Sequence, residues 1–338
     1  MHTSRMTRTR TTTRRRRGAL VGMLTASALA LTGCGLESSS AYVAEPGPGS
    51  IEKIDGAEGN QVTVTSKNFT EQKIMGKIGV LTARAAGFDV KDMTSVPGSQ
   101  PARDLLEGGG ADVLFEYTGT AWLTYLGHET GVPDQKQMWQ KVHDEDVSNG
   151  LTWGAPGPLD NTYAFAIKAS NKDKLNGVSK LSDIKKLPVE QRTFCVESEF
   201  YSRQDGFEPM LEKYGLKLGK DVPKSNVAVL DTGAVYEATA RGTCNFGEVF
   251  TTDGRIKSLS LEVLDDDQGF FPSYSIAPVL RTEVAKKYPE LQKDFEAVAA
   301  AMTNEKFIEL NRRVDVDGED PADVAYDWMV DEGFISKK

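Results

Sequence analysis

The stretch "ADVLFEYTGTAW", residues 111–122, decides how the rest of the chain is read. Its first half is a short apolar run of the kind that forms a buried strand. The strand then hands over to Thr118-Gly119-Thr120, a turn sequence, with Tyr117 at the junction. A tyrosine there is either ordinary core or one wall of a pocket. In open α/β sheets ligands sit beyond the carboxyl ends of strands, which is where Tyr117 falls. Trp122, further into the turn, reads as packing.

Working outward, strands and helices alternate. Residues 61–66 ("QVTVTS") read as a strand and Thr70 to Ala86 as a helix. Ile74, Ile78, Leu81 and Ala85 lie on one face of that helix, and Gly87 closes it. "FDVKDMTSV" is a second strand and "ARDLLEGG" a short helix. Later strands are expected at 162–168, 192–197, 225–231 and 244–250, with helices at "GFEPMLEKYG" and "GAVYEATARG" between them. From Glu283 onward the tail is helical. This alternation predicts parallel sheets flanked by helices. A change of texture at 150–161 divides it into two α/β lobes, residues 60–160 with 275–338 and residues 161–274, with a cleft between them.

The N-terminus is not fold. Arg14 to Arg17 precede an apolar run, residues 18–32, which is shorter than the roughly 20 residues a membrane-spanning helix needs. The run ends in Leu31-Thr32-Gly33-Cys34. That arrangement resembles a bacterial lipobox, which implies a signal peptide over 1–33 and lipidation of Cys34. The export route, general or twin-arginine, stays open. Residues 34–59, rich in Ser, Gly, Pro and Glu, read as a flexible spacer. An anchor of this kind places the domain outside the cytoplasm on the outer face of the cell membrane.

Charge narrows the partners. The leader holds seven arginines and no acids, so 33 of the 40 basic side chains remain against 49 acidic ones, a net of −16. Nucleic acids and anionic headgroups need a basic footprint that such a surface lacks. Besides Cys34, two cysteines remain, Cys195 and Cys244. Outside the cytoplasm they can persist as a disulfide, and two buried thiols are the other reading.

Catalytic and cofactor signatures are missing from the sequence: no Walker-type loop, G-x-S-x-G elbow, H-E-x-x-H or dinucleotide fingerprint occurs. "EGGGAD" (107–112) reads as a helix end running into a strand. Asp265 to Asp267 and "DVDGED" (315–320) read as solvated turns, the latter lacking EF-hand spacing. The sequence calls for no cofactor, no metal and no bond chemistry.

Three further aromatics stand near strand ends or in connections: Tyr163, Phe250 and Tyr274. Taken singly, each reads as core rather than as a ligand wall. The motifs around them go further. "SKNFTEQKIMG", "EYTGTAW", "YSRQDG", "FTTDGRI" and "LEVLDDDQGFFPSY" occur in this order from about residue 61 onward. In this the chain resembles the ProX-like substrate-binding proteins of ABC importers for glycine betaine and related quaternary amines. The resemblance implies a two-lobed, type II periplasmic-binding-protein fold with the ligand cleft between the lobes. It implies a cation box at Tyr117, Tyr163, Phe250 and Tyr274, with Lys67, Thr120 and Arg203 on the carboxylate side. Phe250 departs from the family's tyrosine, keeping the ring face and losing the hydroxyl. The implied partners are a small quaternary amine and a membrane permease, with the binding protein itself a monomer. Choline is the rival ligand within that class, since it has the cation and no carboxylate. A tethered ligand sensor and a tethered hydrolase are the readings from other classes.

Overall fold

The computed structural model describes residues 43–132 and 134–338. The predicted signal peptide, Cys34 and residues 34–42 of the predicted spacer lie outside the described residues.

In chain order the elements are β1 (Gln61–Lys67), α1 (Thr70–Ala85), β2 (Asp89–Val96), α2 (Ser99–Glu107), β3 (Val113–Tyr117), α3 (Thr118–Thr120), α4 (Gln135–Asp146) and β4 (Leu151–Trp153). The chain then crosses to β5 (Tyr163–Lys168), β6 (Phe194–Glu197), α5 (Ser198–Ser202), α6 (Phe207–Lys213), β7 (Val227–Leu230), α7 (Thr232–Arg241), β8 (Phe246–Phe250), α8 (Arg255–Ser258) and β9 (Leu261–Val263). It returns through β10 (Ile276–Arg281) and ends in α9 (Thr282–Lys287), α10 (Pro289–Ala301), α11 (Asn304–Asp315) and α12 (Pro321–Asp331). None of the described helices is long and apolar enough to cross a membrane.

Two five-stranded sheets result, ordered β2-β1-β3-β10-β4 and β7-β6-β8-β5-β9. The expectation of parallel sheets needs correction. Four strands of each sheet run in one direction, but β10 is antiparallel to its neighbours β3 and β4, and β5 to its neighbours β8 and β9. The antiparallel strand is in each case the one that begins after the chain has crossed from the other sheet. The crossing segments, 154–162 from β4 into β5 and 264–275 from β9 into β10, lie beside the cleft.

Each sheet is covered by helices whose apolar stripes it buries. In α1, Ile74, Ile78 and Leu81 are fully buried, and so are Met75 and Val80, because α12 and α11 cover the face turned away from the sheet. The second sheet has its own core around Phe165, Phe194, Phe207 and Phe246. Cys195 of β6 and Cys244, just before β8, are joined as a disulfide with 5.7 Å between their Cα atoms.

Residues 43–59 do not form the free spacer that their composition predicts. Val43, Ile51 and Ala57 are buried. The Gly47 amide donates to the Ser336 carbonyl at 2.8 Å, and that of Ser50 to Gly333 at 3.0 Å. The segment lies along the C-terminal turn, where backbone pairing satisfies it without any side-chain periodicity.

Candidate functional site

The cleft between the sheets is walled by rings that stand at matching positions. Tyr117 is the last residue of β3 and Phe250 the last of β8, the third strand of each parallel set. Tyr163 opens β5 directly opposite Phe250. Tyr274 lies two residues before β10, whose first residue, Ile276, is paired with Tyr117. Phe69, in the connection from β1 to α1, completes a contiguous set. Ring centroids are 6.2 Å apart for Tyr117–Phe69, 5.3 Å for Phe69–Phe250, 5.3 Å for Phe250–Tyr163 and 5.5 Å for Tyr163–Tyr274. These rings border a cavity of about 60 Å³, with Lys67, Thr120, Asn161 and Glu199 also on its wall. The cavity adjoins an outer chamber of about 710 Å³, reached past Phe69 and bordered by Lys73 and Arg255.

Local sequence explains the geometry at Tyr117. The chain passes from β3 into α3 with no intervening loop, then widens into a π-helical turn at Ala121–Tyr125. Turns of that kind are often found at functional positions. Gly119 is required there: a Cβ would lie 2.6 Å from Cδ1 of Tyr274 and 2.8 Å from the Ser273 carbonyl. The absence of that one methyl lets the Tyr274 ring lie against the turn. Trp122 packs, as expected, with its indole N–H donating to the Thr130 carbonyl at 2.9 Å.

Two box hydroxyls are tied to carboxylates. Tyr117 donates to Glu71 at 2.6 Å, and Tyr274 donates to Asp205 at 2.6 Å. Burial, with the Glu71 charge adding to it, drives the Tyr117 phenol well above its ordinary range, so it stays protonated and keeps donating. A phenol that donates to an anion has a more electron-rich ring, which strengthens its attraction for a cation.

The structure brings Lys67, Thr120, Tyr117, Tyr163, Phe250 and Tyr274 to one cavity. Arg203 is not among the residues that line this cavity; its guanidinium carbon lies over the Tyr163 ring, 5.5 Å from the centroid. Its Nε and Nη2 both donate to Asp205, at 2.7 and 2.5 Å, and Nη1 reaches Glu199 at 3.3 Å. Lys67 is likewise held by Glu116 at 2.6 Å, both side chains being buried. The two bases expected to grip a carboxylate already have carboxylate partners, so neither presents a free positive charge to the cavity.

The carboxylates outnumber them. Although burial opposes its charge, Lys67 and the Ser99 amide hold Glu199 below the usual carboxylate range. Glu248 behaves differently: burial pushes its carboxyl up to about 8, against the lowering effect of the Glu197 amide. Phe69, Glu71, Asn161 and Glu199 are site residues that the sequence reading did not single out. Phe69 and Glu71 lie inside the quoted motif "SKNFTEQ", and their position between a strand end and a helix start was the available signal. Among the described residues no group of acidic, histidine or cysteine side chains could hold a metal ion.

Comparison with known proteins finds relatives along most of the described chain. Residues 60–331 match the family model described as the substrate binding domain of ABC-type glycine betaine transport systems. A glycine-betaine-binding protein of Pseudomonas aeruginosa is 34% identical over 281 residues, covering 81% of this chain and 88% of the relative. An ergothioneine transport permease/ergothioneine binding protein of Helicobacter pylori is 30% identical over 273 residues, 80% of this chain and 48% of that one. Among solved structures, that of apo YehZ from Escherichia coli superposes with a TM-score of 0.60 at 27% identity, covering 81% of this chain and 99% of the other.

Proposed function

Since this chain belongs to the family of substrate-binding domains of ABC-type glycine betaine transport systems, we propose that it captures a quaternary-ammonium solute such as glycine betaine and delivers it to a membrane permease. The observation that carries this reading is the contiguous set of five rings at the matched strand ends of two sheets. A trimethylammonium group has no N–H to donate, so hydrogen bonds cannot hold it. Aromatic faces can, at about 0.5–2 kcal/mol for each desolvated contact. The surplus of carboxylates near the cavity adds long-range attraction for a cation.

Choline, the second reading, is favoured by a specific feature. Lys67 and Arg203 are each ion-paired, so a ligand carboxylate has to displace Glu116, Asp205 or Glu199 to reach them. A ligand without a carboxylate meets no such cost. Calorimetric titration of the domain with each ligand separates the two. Tight betaine binding that Arg203→Ala abolishes supports the carboxylate clamp, and choline binding that survives Arg203→Ala supports the second reading. Binding of neither ligand overturns capture of this class.

The leader and Cys34 support export and attachment to the outer face of the membrane through a lipid, with the domain acting as a monomer. Radiolabelled palmitate incorporation that is lost on Cys34→Ala is the expected result. Equal labelling of both forms would remove the anchor.

A further inference from the structure

Glu71, in the first turn of α1, is 2% exposed and carries four hydrogen bonds from four separate segments. Oε1 accepts from the Tyr117 hydroxyl at 2.6 Å and from Asn161 Nδ2 at 2.9 Å. Oε2 accepts from the Thr252 hydroxyl at 2.6 Å and from Asn311 Nδ2 at 3.0 Å. Tyr117 belongs to the first sheet, Thr252 follows the last residue of β8 in the second, Asn161 lies in the crossing segment and Asn311 in α11. Asn311 Nδ2 also donates to the Thr252 carbonyl at 3.0 Å, so both halves of the molecule meet at this one carboxylate.

The donor set suits an ionised carboxylate. An ionised carboxylate offers about four acceptor positions, and here all four meet a donor. The two asparagine Nδ2 groups can only donate, whereas the Tyr117 and Thr252 hydroxyls can also accept. Among the described residues no basic side chain is ion-paired with Glu71. The charged groups on the surrounding elements are bound to one another: Lys67 to Glu116, and Arg255 to both Asp253 and Asp315. When ionised, Glu71 is a buried anion held by dipoles alone, at the hydroxyl end of the Tyr117 ring.

We propose that Glu71 is a positioning residue that couples capture of the cation to closure of the cleft. Resting on the quaternary-ammonium reading above, it does so in two ways. Its charge fixes the Tyr117 ring and attracts the ligand through it. Its coordination is complete only when Thr252 and Asn161 are docked, so parting the two sheets leaves a half-coordinated carboxylate. A bound cation favours the ionised form, and binding therefore weakens as falling pH protonates Glu71, whose carboxyl burial has raised above its ordinary range.

The test uses Glu71→Gln and Thr252→Val, with choline and its uncharged carbon isostere 3,3-dimethylbutan-1-ol as probes. Fluorescence titration gives both affinities, and small-angle scattering gives the radius of gyration without ligand. Glu71→Gln should weaken choline roughly tenfold while leaving the isostere within about twofold, because only the charged ligand senses the lost anion. A parallel loss for both probes, or no loss for either, overturns the coupling. Both variants should be more expanded than the wild type without ligand, and equal radii overturn the latch. If Glu71→Gln does not fold, Thr252→Val still reports, since it removes one donor and leaves the anion in place. If the wild type binds neither probe, the ligand reading fails while the scattering comparison still decides the latch.

Discussion

Tyr117 closes the third strand of the first sheet, and Phe250 closes the third strand of the second, yet the two rings are held differently. Tyr117 is buried, and its hydroxyl is fixed by Glu71. Phe250 has no hydroxyl; its ring packs between Phe69 and Tyr163, and its backbone amide donates to the Tyr236 hydroxyl at 2.8 Å. The carboxylates one and two positions before these rings also differ. Glu116 is neutralised by Lys67, whereas Glu248 has no ion-paired base among the described residues and has its carboxyl raised to about 8. One topology, used twice, thus gives a wall fixed by buried charge and a wall fixed by packing. The first should be sensitive to polar substitutions and the second to changes in volume and pH.

The sharpest way to break the second wall is to remove its cross-link. Replacing Cys195 and Cys244 by alanine frees a loop spanning a separation of 49 residues. The chain-entropy account puts the loss at about 4 kcal/mol, measurable by denaturant unfolding with and without reductant. A loss confined to the oxidised comparison supports the account, and unchanged stability removes the cross-link from it.

Next comes the matched pair of rings. Tyr117→Ala removes a cation–π face and leaves Glu71 short of one donor, so choline or betaine affinity should fall by about 2–3 kcal/mol, roughly 30- to 150-fold. Phe250→Ala removes the face alone and should cost about 0.5–2 kcal/mol. Calorimetry on both variants checks the order, and a larger loss at Phe250 would reverse the comparison.

The pH dependence of stability separates the sheets again. In the folded protein Glu248 keeps its proton up to about 8, whereas unfolded it releases it near 4.5. Its contribution is complete below the lower value and is lost as the pH rises through the higher one. Melting temperatures of Glu248→Gln should therefore lack part of the decline that the wild type shows between those limits. Parallel curves would contradict the buried, protonated assignment. The smallest effect is expected for Phe250→Tyr, which restores a hydroxyl at a half-buried position and should change affinity only a few-fold.

Much of this was legible in local sequence. The parallel strands show as short apolar runs because both their faces are buried, and α1 shows through its 3.6-residue stripe. The antiparallel return strand was not legible, because Pro278 cannot donate to a ladder and argues against a central strand. It is tolerated in β10, whose pairing with β3 is set more than 150 residues away in the chain, out of reach of any local pattern. The box rings were found through their motifs, since neither spacing nor composition distinguishes a ligand wall from core. The pairing of Arg203 was not legible for a related reason. A sequence shows that an arginine is present and does not show that Asp205, two residues on, will occupy its guanidinium. Glu71 was missed because its four donors lie in segments up to 240 residues away.

The most direct test of the central claim is a crystal structure of the domain grown with choline. The account predicts the ammonium nitrogen in the inner cavity, within about 6 Å of the ring centroids of Tyr117, Tyr163, Phe250 and Tyr274, with Glu71 still bonded to Tyr117 and Thr252. Density for choline only in the outer chamber beside Lys73 and Arg255, with the inner cavity collapsed around Phe69, would contradict it.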